Sequence, residues 1–333
     1  MQLLAQKLFF CVATFAILNQ SKAEEVSKPK LSSTLQVSQL DASKFSILTL
    51  PPLRIDGKTA KAHTQGLLVH KNGIFVTARR DDIKPRRALL LWLKCNPLNN
   101  RSGSKMSWTK IWDITPKPNL ENGFNILDHP GGFDFDGKHI WIPISESHRK
   151  GKTIIRKFSV HSLINEGKAK HTQSIIIDDH IGAIAISRSL NRIFCANWDT
   201  LHSYELSLEG KLIKRFQRNE FISNYKNWSN AVQDWKVHQG FLIASGIDKS
   251  LKLPSNHPRS LIQLIDIKSR NIIEELRLPR RTSGNFTREG MAIYDECIWL
   301  LPDDLTEENK LYKFPLADLK KNEAQKEKLA TGQ

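Results

Sequence analysis

Five stretches decide the fold: His63-Thr-Gln-Gly-Leu-Leu-Val69, His129-Pro-Gly-Gly-Phe-Asp-Phe135, His180-Ile-Gly-Ala-Ile-Ala-Ile186, Ala231-Val-Gln-Asp-Trp-Lys-Val237 and Thr287-Arg-Glu-Gly-Met-Ala-Ile293. Each opens with small or polar residues and runs into a short apolar strand. A turn follows each: His70-Lys-Asn-Gly73, Asp136-Gly-Lys138, Ser187-Arg-Ser-Leu-Asn191, His238-Gln-Gly240 and Tyr294-Asp-Glu296. A second apolar strand comes next: Ile74-Phe-Val-Thr77, Ile140-Trp-Ile-Pro-Ile144, Ile193-Phe-Cys-Ala196, Phe241-Leu-Ile-Ala244 and Ile298-Trp-Leu-Leu301. Residues that reverse the chain or accept positive φ, set between apolar runs, mark β-hairpins.

Working outward, further strand-like runs fill each unit, among them Leu89–Leu93, Trp108–Ile114, Thr153–Phe158, Leu201–Leu206, Leu261–Asp266 and Leu311–Phe314. The unit starts lie 66, 51, 51 and 56 residues apart, with about four strands each. Four-stranded repeats of this period are propeller blades. The expected fold is all-β, a single β-propeller of five blades over residues 44–316. A sixth, degenerate blade within residues 95–128 is the alternative. The last unit has only three strands, and Phe45–Leu50 has no other partner, so this N-terminal strand is expected to close the ring and hide its open edge.

The ends read differently. Lys7 precedes an apolar run, Leu8–Leu18, and the small-x-small site Ser21-Lys22-Ala23, the signature of a secretory signal peptide over residues 1–23. Eleven apolar residues fall well short of the roughly 20 a membrane helix needs, and no later segment is long or apolar enough to span a membrane. A secreted or periplasmic protein is expected, with a polar linker at 24–43 and a charged tail at 317–333. Removing Lys7 and Lys22 takes the formal charge from +16 to +14. This favours anionic partners, a small polar or anionic ligand or an anionic envelope polymer. The basic clusters are short and accompany no nucleic-acid module, so specific nucleic-acid binding is not expected. Cys95, Cys195 and Cys297 remain after cleavage, allowing at most one disulfide. There is no GxSxG, P-loop, HExxH or CxxC.

Propeller topology places the candidate site. The innermost strand of each blade starts at one face, and the second, antiparallel strand ends there. The converging rim positions are His63, Gln65 and Arg79; His129, Glu146 and His148; His180, Asn197 and Asp199; Gln233, Asp234 and Asp248; and Arg288, Glu289, Asp303 and Asp304. His63, His129 and His180 share one repeat position and are candidate ligands for one divalent metal ion with an open coordination position. Equally open is a metal-free rim in which Gln65, Arg79, Arg288 and Gln233 bind an anionic or sugar-like ligand. In that reading Trp198 offers a stacking face. Glu289, Asp303 and Glu146 are the candidate acids and bases.

These motifs carry resemblances. His63-Thr-Gln-Gly-Leu-Leu68, Gly132-Phe-Asp-Phe-Asp-Gly-Lys-His-Ile-Trp-Ile-Pro143, His180-Ile-Gly-Ala-Ile-Ala185 and Gly284-Asn-Phe-Thr-Arg-Glu-Gly-Met-Ala-Ile293 together resemble an uncharacterised family of secreted propeller-like proteins, which implies a fold and no activity. Thr64-Gln-Gly-Leu67 resembles the opening of the plant-type glutaminyl cyclases, which are five-bladed propellers. Glu289-Gly-Met-Ala-Ile293 with Trp299-Leu-Leu-Pro-Asp-Asp304 resembles the blade motif of esterase-like phytase propellers. Each of these two matches covers one blade.

Overall fold

A computed structural model describes residues 44–98, 106–117, 126–250, 259–305 and 309–316. The signal peptide, linker and charged tail expected from the sequence lie outside the described residues. No helix among the described residues is long and apolar enough to cross a membrane.

Five four-stranded blades form the fold. Blade one consists of Ala62–His70, Gly73–Arg80, Arg87–Leu93 and Lys110–Asp113. Blade two has an innermost strand in two pieces, Leu127–Pro130 and Asp134–Phe135, followed by His139–Glu146, Thr153–Ser159 and His171–Ile177. Blade three is Ile181–Ser187, Arg192–Asn197, His202–Ser207 and Leu212–Gln217. Blade four is Asn230–His238, Phe241–Asp248, Ser260–Asp266 and Ile272–Leu278. Blade five is Gly290–Tyr294, Cys297–Leu301 and Asn309–Pro315, completed by Ser46–Leu50. This N-terminal strand pairs antiparallel with Asn309–Pro315, Ser46 opposite Lys313 and Leu50 opposite Asn309. The ring is closed as the sequence predicts. The long first gap holds no sixth blade among its described residues, because Lys110–Asp113 is the outer strand of blade one.

The apolar runs are nearly continuous because each blade is buried on both faces. Period-two alternation sends successive residues to opposite neighbours. Leu67, Val69, Ile74 and Val76 pack against Ala292, Trp299 and Leu301 of blade five. The intervening Leu68 and Phe75 pack against Ile140, Ile142 and Phe158 of blade two. The pattern repeats around the ring. Trp141 and Ile155 meet Ile184 and Ile193, Phe194 meets Trp235 and Leu242, and Ile243 and Ile262 meet Met291 and Ile298. The core is thus five apolar seams rather than one centre.

A charged network sits where the innermost strands converge. The Asp234 carboxylate accepts hydrogen bonds from the amides of Met291, at 2.9 Å, and Leu67, at 3.4 Å. Asp134 accepts from Ile186 at 2.8 Å and Val237 at 3.4 Å. Lys236 donates to Asp234 Oδ1 at 2.5 Å and to the carbonyl of Phe133. All three side chains are buried, and their partners lie on all five blades. Burial pushes both carboxyl pKa values up, and the Lys236 ammonium opposes it. Gly132 explains the break in blade two's inner strand. A Cβ there would lie 2.6 Å from the carbonyl of Gln233 and 2.7 Å from the Asp234 carboxylate, so only glycine lets the backbone come this close.

Cys195 and Cys297 are buried thiols, and no disulfide joins described cysteines.

Candidate functional site

A cavity of about 360 Å³ opens at the rim where the five units begin. Its lining follows from the repeat. Two residues after each unit start stand Gln65, Gly131, Gly182, Gln233 and Glu289. The pairing with the second strand slips here, between Thr64 and Gly66, between Ile181 and Ala183, and between Val232 and Asp234. Such a bulge frees one residue from the ladder and re-aims its side chain. Gln65 and Gln233 line the cavity in this way, Glu289 lines it from just ahead of the Gly290–Tyr294 strand, and Gly182 leaves it room.

Of the residues expected at the site, His63, His129, His180, Gln65, Arg79, Arg288, Gln233, Trp198 and Glu289 all line this one cavity. Glu146 and Asp303 do not. The second strand of blade two is irregular at Ser145/Glu146. There the Glu146 carboxylate accepts the Lys152 amide at 3.0 Å and meets His148 Nε2 at 3.1 Å, serving the loop. Asp303 is held by both terminal nitrogens of Arg281, at 2.7 and 2.9 Å.

The three histidines separate into two environments. His63 begins blade one at its seam with blade five, where Leu305 donates its amide to Ala62 at 2.9 Å. Its Nδ1 lies 2.5 Å from Asp304 Oδ1 and its Nε2 3.6 Å from Glu289 Oε1. Arg288 adds contacts to Glu289 at 3.1 Å and to Asp304 at 3.9 Å. Burial opposes charge on His63, but the Asp304 hydrogen bond and the charges of Glu289 and Asp304 outweigh it and hold its pKa above the ordinary value. Burial pushes the Glu289 carboxyl up to about 8, against the pull of His63 and Arg288. Asp304 is held below the usual range despite burial, by its bond to His63 and the positive charges near it.

His129 and His180 pair with each other, Nδ1 to Nε2, at 3.1 Å. Trp198 covers both, its ring centroid 4.6 Å from that of His180 and 5.7 Å from that of His129. Trp198 sits in a short 3-10 turn, Trp198–Thr200, whose Asp199 and Thr200 have positive φ of 59° and 54°. Backbone of this kind persists only where surroundings hold it. Here the Thr200 hydroxyl accepts the Val232 amide at 2.8 Å, Arg218 donates to both carbonyls, and Arg149 pairs with Asp199 at 2.5 Å. Burial lowers the pKa of His180 to about 4 and that of His129 well below the ordinary value.

The expected three-histidine metal centre is therefore not one donor set. Among the described residues the group with three metal-type donor atoms within 4.8 Å of one another is His63, Glu289 and Asp304. Arg288 and a His63–Asp304 hydrogen bond already serve those donors. Asp304 makes the contact that its neighbour Asp303 does not; both stand among the predicted rim positions, but which of two adjacent aspartates faces the cavity depends on how the chain leaves its strand.

Comparison with known proteins bears on the fold. The structure is similar to that of Myxococcus xanthus glutaminyl cyclase, at 11% identity and a TM-score of 0.50 over 82% of this chain and 97% of that one. It is more distantly similar to a luciferin-regenerating enzyme (11% identity, TM-score 0.43, 79% of each chain). A glycosyl hydrolase from Bacteroides ovatus stands at a similar distance (10% identity, TM-score 0.43, 77% of this chain and 84% of that one). At such identities the likeness is one of fold. No curated protein matches the chain in sequence. The model of a family of unknown function, DUF6454, matches residues 91–286, from the third strand of blade one to the approach to blade five, and the chain belongs to that family.

Proposed function

We propose that the rim cavity binds a small polar ligand bearing an anionic group and that Glu289 delivers a proton to it, in a hydrolysis or a cyclisation. One observation carries the reading. Glu289 is a carboxyl buried in the cavity wall, pushed up to about 8 between His63 and Arg288. A carboxyl that keeps its proton at neutral pH and faces a cavity is equipped for general acid catalysis. Arg79 and Arg288 supply positive charge, Gln65 and Gln233 supply amides, and Trp198 supplies a flat face. The cavity volume falls at the small end of the range for small-molecule sites, roughly 300–1,000 Å³. The shared propeller fold is compatible with this chemistry and does not choose the substrate. The expected signal peptide fits work outside the cytoplasm, where a nucleotide-fuelled reaction has no supply.

A second reading has the donor geometry in its favour: His63, Glu289 and Asp304 can hold one divalent ion. Arg288 weighs against it, because its guanidinium already contacts both Glu289 and Asp304.

The test is a turnover screen of the full chain with N-terminal glutaminyl peptides, glycosides, lactones and phosphate esters. One class is expected to be turned over, with the rate falling by about a hundredfold or more in Glu289→Gln and surviving EDTA. Turnover unchanged in Glu289→Gln contradicts the proton-donor role. Loss in EDTA with recovery on adding zinc or manganese favours the metal.

A further inference from the structure

The backbone fixes the tautomers of two cavity histidines, and the consequence reaches the ligand. His180 Nδ1 lies 3.0 Å from the carbonyl oxygen of His148. A carbonyl only accepts, so His180 Nδ1 carries the proton. His180 is buried and neutral at pH 7, which leaves its Nε2 bare. His129 Nδ1, 3.1 Å from that bare nitrogen, must be the donor. His129 is neutral as well, so its own Nε2 carries no proton. Among the described residues the hydrogen bond to His180 is the one His129 makes, and its Nε2 is not among the fully buried polar atoms left without a partner. The ring lines the cavity, steadied by Trp198. A chain of two hydrogen bonds therefore ends in a lone pair on the cavity wall. Blades two and three carry this wall, whereas Arg79 and Arg288 belong to blades one and five.

We propose that His129 Nε2 is a hydrogen-bond acceptor that selects ligands pairing an anionic end with an O–H or N–H donor, which makes a carboxylate bearing a hydroxyl or an amide N–H the ligand class of this site. The proposal rests on the anion-binding reading above and adds the second recognition point. A wall whose proton direction is set by a backbone carbonyl cannot turn round to donate, so it discriminates against ligands that present only acceptors there. Rejection of an analogue that lacks the matching group is the strong form of small-ligand specificity.

Two measurements on the full chain test it. Long-range proton–nitrogen correlation spectra of ¹⁵N-histidine-labelled protein, assigned with His129→Gln and His180→Gln, read the tautomers directly. Both rings are expected in the Nδ1–H form at pH 7; an Nε2–H form of His129 overturns the proposal. Binding is then compared between glycolate, lactate and N-acetylglycine and the donor-free acetate, propionate and methoxyacetate. The donor-bearing acids are expected to bind about tenfold tighter or more, a preference that His129→Phe removes. Equal binding of the two sets overturns the role of His129 and leaves the anion site standing. If no acid binds and Arg79→Gln changes nothing, the anion-binding reading falls, and the ligand class falls with it.

Discussion

The Nδ1 of His63 lies 2.5 Å from the Oδ1 of Asp304, across 241 residues of sequence. The two side chains belong to the first and last blades, so their contact is a product of ring closure. It also sets the charge on the imidazole. Asp304→Asn is expected to lower the His63 pKa, because it removes the hydrogen bond and the charge that outweigh burial. The sign for stability follows by linkage. A histidine whose folded pKa is raised stabilises fully below its unfolded pKa, and the contribution is lost as pH rises through the folded value. Asp304→Asn should therefore cost more at pH 5 than at pH 9. Asp304 is 40% exposed, so solvent screening keeps the effect small. A proton NMR titration of His63 in the two proteins, with unfolding curves at both pH values, checks this.

Closing the ring should matter in proportion to what the N-terminal strand buries. Leu50 is buried and Ile47 is exposed on the same strand. Leu50→Ala is expected to cost about 2–5 kcal/mol, and Ile47→Ala no more than about 0.5 kcal/mol. Denaturant unfolding of both variants reads the difference. Equal, small effects would mean that the strand does not hold blade five.

The central ion network gives a third expectation. Lys236→Met leaves the Asp234 carboxylate buried without its cation, a loss of about 3–5 kcal/mol. Burial already raises the pKa of Asp234, and without Lys236 it rises further, so acid relieves the penalty by protonating the group. The variant's deficit should be larger at pH 8 than at pH 5, measured by unfolding at each.

The architecture was legible because repetition and alternation are both written in the chain. The five unit starts give the blade number, and the lone Phe45–Leu50 run gives the closure. The cavity was legible for the same reason, since antiparallel hairpins bring unit starts and second-strand ends to one face. What local sequence does not carry is direction. Ser145/Glu146 is irregular, and Glu146 turns to its own loop. Asp303 and Asp304 are adjacent, and only the second faces His63. The three histidines share a repeat position, but blade five supplies carboxylates to His63 whereas blade two's loop supplies a carbonyl to His180. Such partners arrive from other blades, at spacings no motif records. The Asp134–Lys236–Asp234 network escaped because Lys236 sits in an apolar strand pattern, where a lysine reads as a surface residue.

Glu289 also ties the site to overall stability. A carboxyl whose folded pKa is raised stabilises below its unfolded pKa and loses that contribution as pH rises through the folded value, here about 8. Between the ordinary glutamate value of 4.5 and about 8 the wild type should weaken by up to about 1.4 kcal/mol per pH unit through this group and level off above that, and Glu289→Gln should lack that component. Unfolding at pH 6, 8 and 9 for both proteins checks it.

The most direct measurement is the ¹³C chemical-shift titration of the Glu289 side-chain carboxyl, assigned by difference with Glu289→Gln. A midpoint near 8 is expected, with the proton in place at neutral pH. A midpoint near 4.5, the value of an ordinary glutamate, would leave the cavity without its acid and contradict the proposed chemistry.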